Sequence, residues 1–170
     1  MRILFFYLCF ALILVGCKTE VDNSANEAFE ANSKTVLANL EGFQNENLDY
    51  SMYAKEFSLL ETAFGAEKDS ITLDEMIAND KQMWETFDFK MLTYPPVLLP
   101  GVNADTKMPD GSVRHYSVWE VTMPETDSTE AKTGAFKLYE SFDFDADGKI
   151  LTQQVYGDFT GLMMYLTSNN

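Results

Sequence analysis

The hydrophobic residues of this chain change their spacing at Phe87, and that change constrains the fold more than any other feature. Before Phe87 they recur at intervals of three and four, the period of helices buried on one side. After it they alternate, the period of strands with one covered face. Ser24 and Glu27 have capping-box spacing, and Phe29, Val36, Leu37, Leu40 and Phe43 then share one face, which predicts a helix from Ala25 to about Asn45. Asp49 can cap a second, shorter helix carrying Tyr53, Phe57 and Leu60, with Gly65 as its latest stop. A third helix starts at Thr72 with Glu75 as a capping box and Ile71 and Met76 as a hydrophobic staple, turning Leu73, Met76, Ile77, Trp84 and Phe87 inward.

Alternation begins at Phe87, Phe89 and Met91, and Pro95, Pro96 and Pro100 end or interrupt that strand. Pro109-Asp110-Gly111 reads as a turn. Between Ser112 and Met123, Val113, His115, Ser117, Trp119 and Val121 share the face that carries no full charge, which should be the inner one. A polar loop from Pro124 to Thr133 leads to a strand with Phe136, Leu138, Glu140, Phe142 and Phe144 on one side. Asp145-Ala146-Asp147-Gly148 is a hairpin turn before a last strand, Lys149 to Tyr156. Helices followed by a meander of strands predict an α+β domain: three N-terminal helices packed on a strongly curved antiparallel sheet.

Element order carries a resemblance, joined by Asp49 ahead of Tyr50 and Tyr53, Leu73-Asp74-Glu75-Met76 leading to Trp84, and Asp147-Gly148-Lys149-Ile150 before Tyr156, Gly157 and Asp158. With these features the chain resembles the nuclear-transport-factor-2-like superfamily and its SnoaL-like branch. The resemblance implies a cone closed by helices. It implies no single activity, since the family includes isomerases, dehydratases, cyclases and proteins with no reaction.

Arg2, an apolar run from Ile3 to Val15, Gly16 and then polar residues from Lys18 onward form a secretory leader. A membrane-spanning helix needs about 20 apolar residues, and this run is shorter. Leu14-Val15-Gly16-Cys17 resembles the lipobox of bacterial lipoproteins, which implies a diacylglyceryl thioether and an acyl chain such as palmitate on Cys17; ordinary secretion with an incidental Cys17 is the alternative. The expected organisation is a signal peptide over 1–16, a lipidated tether over 17–23 and one domain over 24–170. Lys18 rather than aspartate after the cysteine points to the outer membrane as the extracytoplasmic location.

Removing residues 1–16, whose one charge is Arg2, leaves 154 of 170 residues and moves the formal charge from −15 to −16. Such a surface repels a phosphate backbone, so nucleic acid is not an expected partner. The two cysteines are Cys9, in the leader, and Cys17, under lipid. A mature chain of that kind has no thiol for a disulfide, a nucleophile or a thiolate metal site. One histidine is too few for the usual imidazole zinc sites, and no cofactor motif is present.

Asp143, Asp145, Asp147 and Gly148 match the start of a calcium loop, but Gln154 replaces its twelfth-position glutamate and strands replace its flanking helices. The hairpin reading outweighs the metal reading, and no metal ligands are assigned. His115 and Glu140 are each the one ionisable group on an otherwise apolar strand face. With the connecting loop centred near Ser128, Ser117 lies opposite Glu140 and His115 sits diagonally from it, within side-chain reach. Such a pair can transfer a proton as catalytic residues, or it can be a buried polar pair with no reaction.

Tyr53, Trp84 and Trp119 are aromatic groups with a polar edge on inward faces, candidates for ligand binding and equally for core packing. Tyr139, Ile150 and Tyr156 make the opposite sheet face more apolar than solvent requires, which suggests a second copy as partner. The leading expectation is a lipid-anchored protein that binds a small uncharged or cationic organic molecule without transforming it. The alternatives are an isomerase or dehydratase using His115 and Glu140, and a non-catalytic homo-oligomeric interaction subunit.

Overall fold

The computed structural model describes residues 22–168. The leader, Cys17 and most of the tether lie outside the described residues. Helix α1 spans Ser24–Gln44 and a short 3-10 turn spans Tyr50–Met52. Strands β1 (Tyr53–Leu60) and β2 (Ser70–Thr72) precede helix α2 (Leu73–Trp84). Then come β3 (Asp88–Met91), β4 (Val97–Val102), β5 (Pro109–Met123), β6 (Lys132–Phe144) and β7 (Ile150–Gly157), and a last helix, α3 (Phe159–Thr167). Among the described residues, three helices cover a curved, open, seven-stranded sheet of order β2-β1-β7-β6-β5-β3, with β4 also pairing with β5.

The α+β reading holds, with three differences of detail. The segment read as the second helix is strand β1. Spacing Tyr53 and Phe57 four residues apart satisfies both a helix and a strand, because four is close to one helical turn and an even number of strand positions. Asp49 does cap, accepting from the Ser51 amide at 2.9 Å, but it caps only the 3-10 turn. The third helix therefore follows the last strand, where Asp158 accepts from the Gly161 amide at 2.9 Å and starts α3. The sheet is mixed, because β1 joins β7 in parallel while every other pairing is antiparallel.

The first helix begins one residue before the predicted Ala25, with Asn23 at the cap making no side-chain cap bond, so Ser24 and Glu27 do not form the expected box. Helix α2 has its box complete: the Thr72 hydroxyl accepts from the Glu75 amide at 3.4 Å, and Glu75 accepts from the Thr72 amide at 2.9 Å. Long β5 serves two short strands, β4 on its first half and β3 on its second. Its predicted inner residues Val113, His115, Ser117, Trp119 and Val121 are all buried.

A register shift between Asp143 and Phe144 carries Ile150 into the core, where it is fully buried rather than on the outer face. The main core gathers Val36 and Leu40 of α1, Phe57 of β1, Met76 of α2 and Phe142 of β6. A smaller cluster puts Leu162 and Leu166 of α3 on Val121. Gly111 lets α1 approach β5: its φ is +81°, and a Cβ there would lie 2.7 Å from that of Ala28. The facing Asn32 donates to the Gly111 carbonyl at 2.9 Å.

Candidate functional site

Between the concave sheet face and helices α1 and α2 lies a cavity of about 250 Å³. Its walls are mostly apolar: Leu40, Phe43, Met76, Phe89, Leu138 and Val155, among others, with Phe136 and Phe159 on the side of α3. The polar side chains that line it are Asn39, Tyr53, Asp80, Glu140 and Gln153. Each comes from a regular element, so the site is held by the scaffold rather than by loops.

Glu140 is 6% exposed and fully engaged on one side. Its Oε2 lies 2.8 Å from His115 Nδ1, and its Oε1 accepts from Gln153 Nε2 at 3.0 Å. With Glu140 ionised, the His115 proton sits on Nδ1, and a neutral ring leaves Nε2 as a bare acceptor. That Nε2 is buried without a partner, as are Gln153 Oε1, Ser117 Oγ and Trp119 Nε1. The pairing differs in register from the sequence expectation: His115 stands directly opposite Glu140, and Ser117 faces Leu138. The β5–β6 connection is centred between Asp127 and Ser128, one position earlier than a Ser117–Glu140 pairing requires, and that moves every facing partner by two residues.

Asp80, on the buried face of α2, accepts from the Tyr50 hydroxyl at 3.0 Å. Burial is the main cause that pushes its carboxyl up to about 6, against a smaller opposing effect of that hydrogen bond. Tyr53 accepts from Asn39 Nδ2 at 2.5 Å, and burial raises its phenol well above the ordinary range, with the charges of Asp80 and Glu140 adding to the effect. The hydroxyl of Tyr53 thus stays protonated at any ordinary pH and can donate to a ligand or to a neighbouring acceptor.

Of the residues singled out in the sequence, Tyr53, Trp119 and Glu140 line the cavity, and His115 stands behind Glu140. Trp84 is absent from the lining; its ring packs on Phe43 with centroids 5.5 Å apart. Phe43 in turn meets Phe89 and Trp119 edge to face. The sequence reading missed Asp80, Asn39 and Gln153. A carboxylate four residues after Met76 on the inward face of a helix was the available signal for Asp80.

No family model matches the sequence, and no curated protein matches it either. Solved structures do. A proposed polyketide cyclase of Xanthomonas campestris is similar over 82% of this chain and 99% of its own, at 15% identity and a TM-score of 0.63. The chain has the nuclear-transport-factor-2-like fold. A nuclear-transport-factor-2-like protein of Burkholderia xenovorans matches over 81% of this chain and 97% of its own, at 10% identity and a TM-score of 0.58. An epoxide hydrolase of Mycobacterium tuberculosis, of the LEH-like type, covers 83% and 90% at 18% identity and a TM-score of 0.53. At these identities the likeness establishes the nuclear-transport-factor-2-like cone and leaves its chemistry to its own side chains.

Proposed function

We propose that the protein binds a small, uncharged or cationic organic molecule in its cone. The observation that carries this reading is the cavity of about 250 Å³, apolar over most of its wall with a few polar side chains converging on it. An apolar cavity of about 150 Å³ accepts benzene, so this one accommodates a single ring with a short substituent. A ligand at 100 times its dissociation constant stabilises the folded state by about 2.7 kcal/mol. Monocyclic organic compounds should therefore raise the unfolding temperature in a thermal-shift series, and a varied series without any effect refutes the reading.

A second reading, an isomerase or dehydratase, is favoured by the 2.8 Å contact of His115 and Glu140. In it Glu140 touches the substrate and takes or returns a proton, while His115, set behind it, fixes its orientation. Activity with a bell-shaped pH profile, lost in both His115→Ala and Glu140→Gln, would support catalysis; full activity in either variant refutes this use of the pair.

We also propose that the domain is tethered outside the cytoplasm, at the outer membrane, by lipid on Cys17. The lipobox supports this, as does α1 beginning at Ser24, which leaves Lys18 to Asn23 as a short polar link. Labelled palmitate should enter the chain and fail to enter Cys17→Ala. The outer face, where exposed Tyr116 and Tyr156 flank half-buried Tyr139 with tilted rings 4.9 and 6.1 Å apart, fits a second copy of the chain. Light scattering that finds a monomer at every concentration refutes that interface.

A further inference from the structure

The cavity is unbalanced in charge and in hydrogen bonding. Asp80 from α2 and Glu140 from β6 both line it, and among the described residues no lysine, arginine or histidine does. Asp80 is 5% exposed, its hydrogen-bond partner is the Tyr50 hydroxyl, and no cation pairs with it among the described residues. Glu140 has His115 and Gln153 behind it. If the His115 ring is neutral, two negative charges adjoin the cavity. If it is charged, Glu140 is balanced and the charge of Asp80 remains. Either way the ionised site has an excess of negative charge, in surroundings where an unpaired charge is expensive.

Three further observations agree. Gln153 lines the cavity, is 7% exposed, and its buried Oε1 has no hydrogen-bond partner. Phe43, Phe89 and Trp119 also line it, and aromatic faces attract cations. The formal charge of −15 draws cations toward the molecule from solution.

Resting on the ligand-binding reading above, the geometry points to an organic cation as the ligand: a protonated amine on a one-ring apolar body, its N–H groups donated to Asp80 and Glu140. The amine supplies both the missing positive charge and the missing donors, and the ring takes the place of solvent against the aromatic wall. A neutral ring satisfies only the wall, and an anion is repelled.

The test is calorimetric titration of the detergent-solubilised full chain at pH 7.5 with three probes of nearly equal size: 2-phenylethylamine, 2-phenylethanol and phenylacetate. The amine should bind at least tenfold more tightly than the alcohol, and phenylacetate should not bind. In Asp80→Asn, shown by circular dichroism to be folded, the advantage of the amine should fall below about threefold. The comparison on the unaltered chain stands even where that variant does not fold. Equal or tighter binding of the alcohol overturns the cation assignment and leaves the ligand-binding reading intact. An amine advantage unchanged in folded Asp80→Asn overturns it as well. No binding by any of the three overturns the cation assignment, and the ligand-binding reading falls with it where the varied thermal-shift series is also without effect.

Discussion

Asp80 is the residue at which folding and the proposed ligand binding pull apart. Its carboxyl rises from an ordinary 3.8 to about 6 in the folded chain, chiefly through burial. A folded value above the unfolded one means that the stabilisation tied to the protonated form is complete below about pH 4 and is lost as pH rises through 6. The two-unit difference corresponds to about 3 kcal/mol. Urea unfolding should show the Asp80-dependent part of the stability falling between pH 4 and 6. Asp80→Asn keeps an acceptor for Tyr50 and removes this slope, so it should be more stable than the parent at pH 8 by about 1 to 3 kcal/mol. Equal stability at pH 8 would mean that Asp80 is already compensated.

The residues of the cone were unequally legible. His115 and Glu140 stood out because each interrupts an apolar strand face, and the strand period told correctly which face was inside. Asp80 did not stand out, because helix α2 is amphipathic with acidic residues at several positions and only the fold says which of them is covered. Gln153 and Asn39 carry no charge to betray burial. Their roles come from what stands opposite, a matter of register and packing that a linear pattern does not contain.

At the level of elements, α2 is the best specified. Its capping box, read from Thr72 and Glu75, is present in full and sets the start of the helix that carries Met76 and Asp80 to the cavity. Thr72→Ala should cost about 1 kcal/mol in chemical denaturation. Gly111 controls the seat of α1. Its left-handed backbone and the 2.7 Å approach that a Cβ would make to Ala28 predict that Gly111→Ala destabilises by about 1 to 3 kcal/mol, seen as a lower melting temperature. Helix α3 and strand β1 were the elements least legible. The last helix is short and uncharged, so its one clear signal was Asp158. In β1 the four-residue interval of its aromatics fits two periods, and the deciding contact is with β7, far along the chain.

For the molecule as a whole, the order of the sheet has a kinetic meaning. The pairing of β5 with β6 is local, whereas β1 waits for β7, with Tyr53 facing Ile150. Distant pairings are entropically slow to close. In pulsed hydrogen exchange during refolding, amides of β5, β6 and β7, which are joined by local hairpins, should therefore gain protection before those of β1. Simultaneous protection of all four would contradict this order.

That late seam, the junction of β1 with β7, also governs when the hollow exists. A polypeptide that emerges from its leading end presents Tyr53 long before Gln153, so the cavity that both line cannot close until nearly the whole chain is available. The hollow is therefore one of the last features of the molecule to take shape.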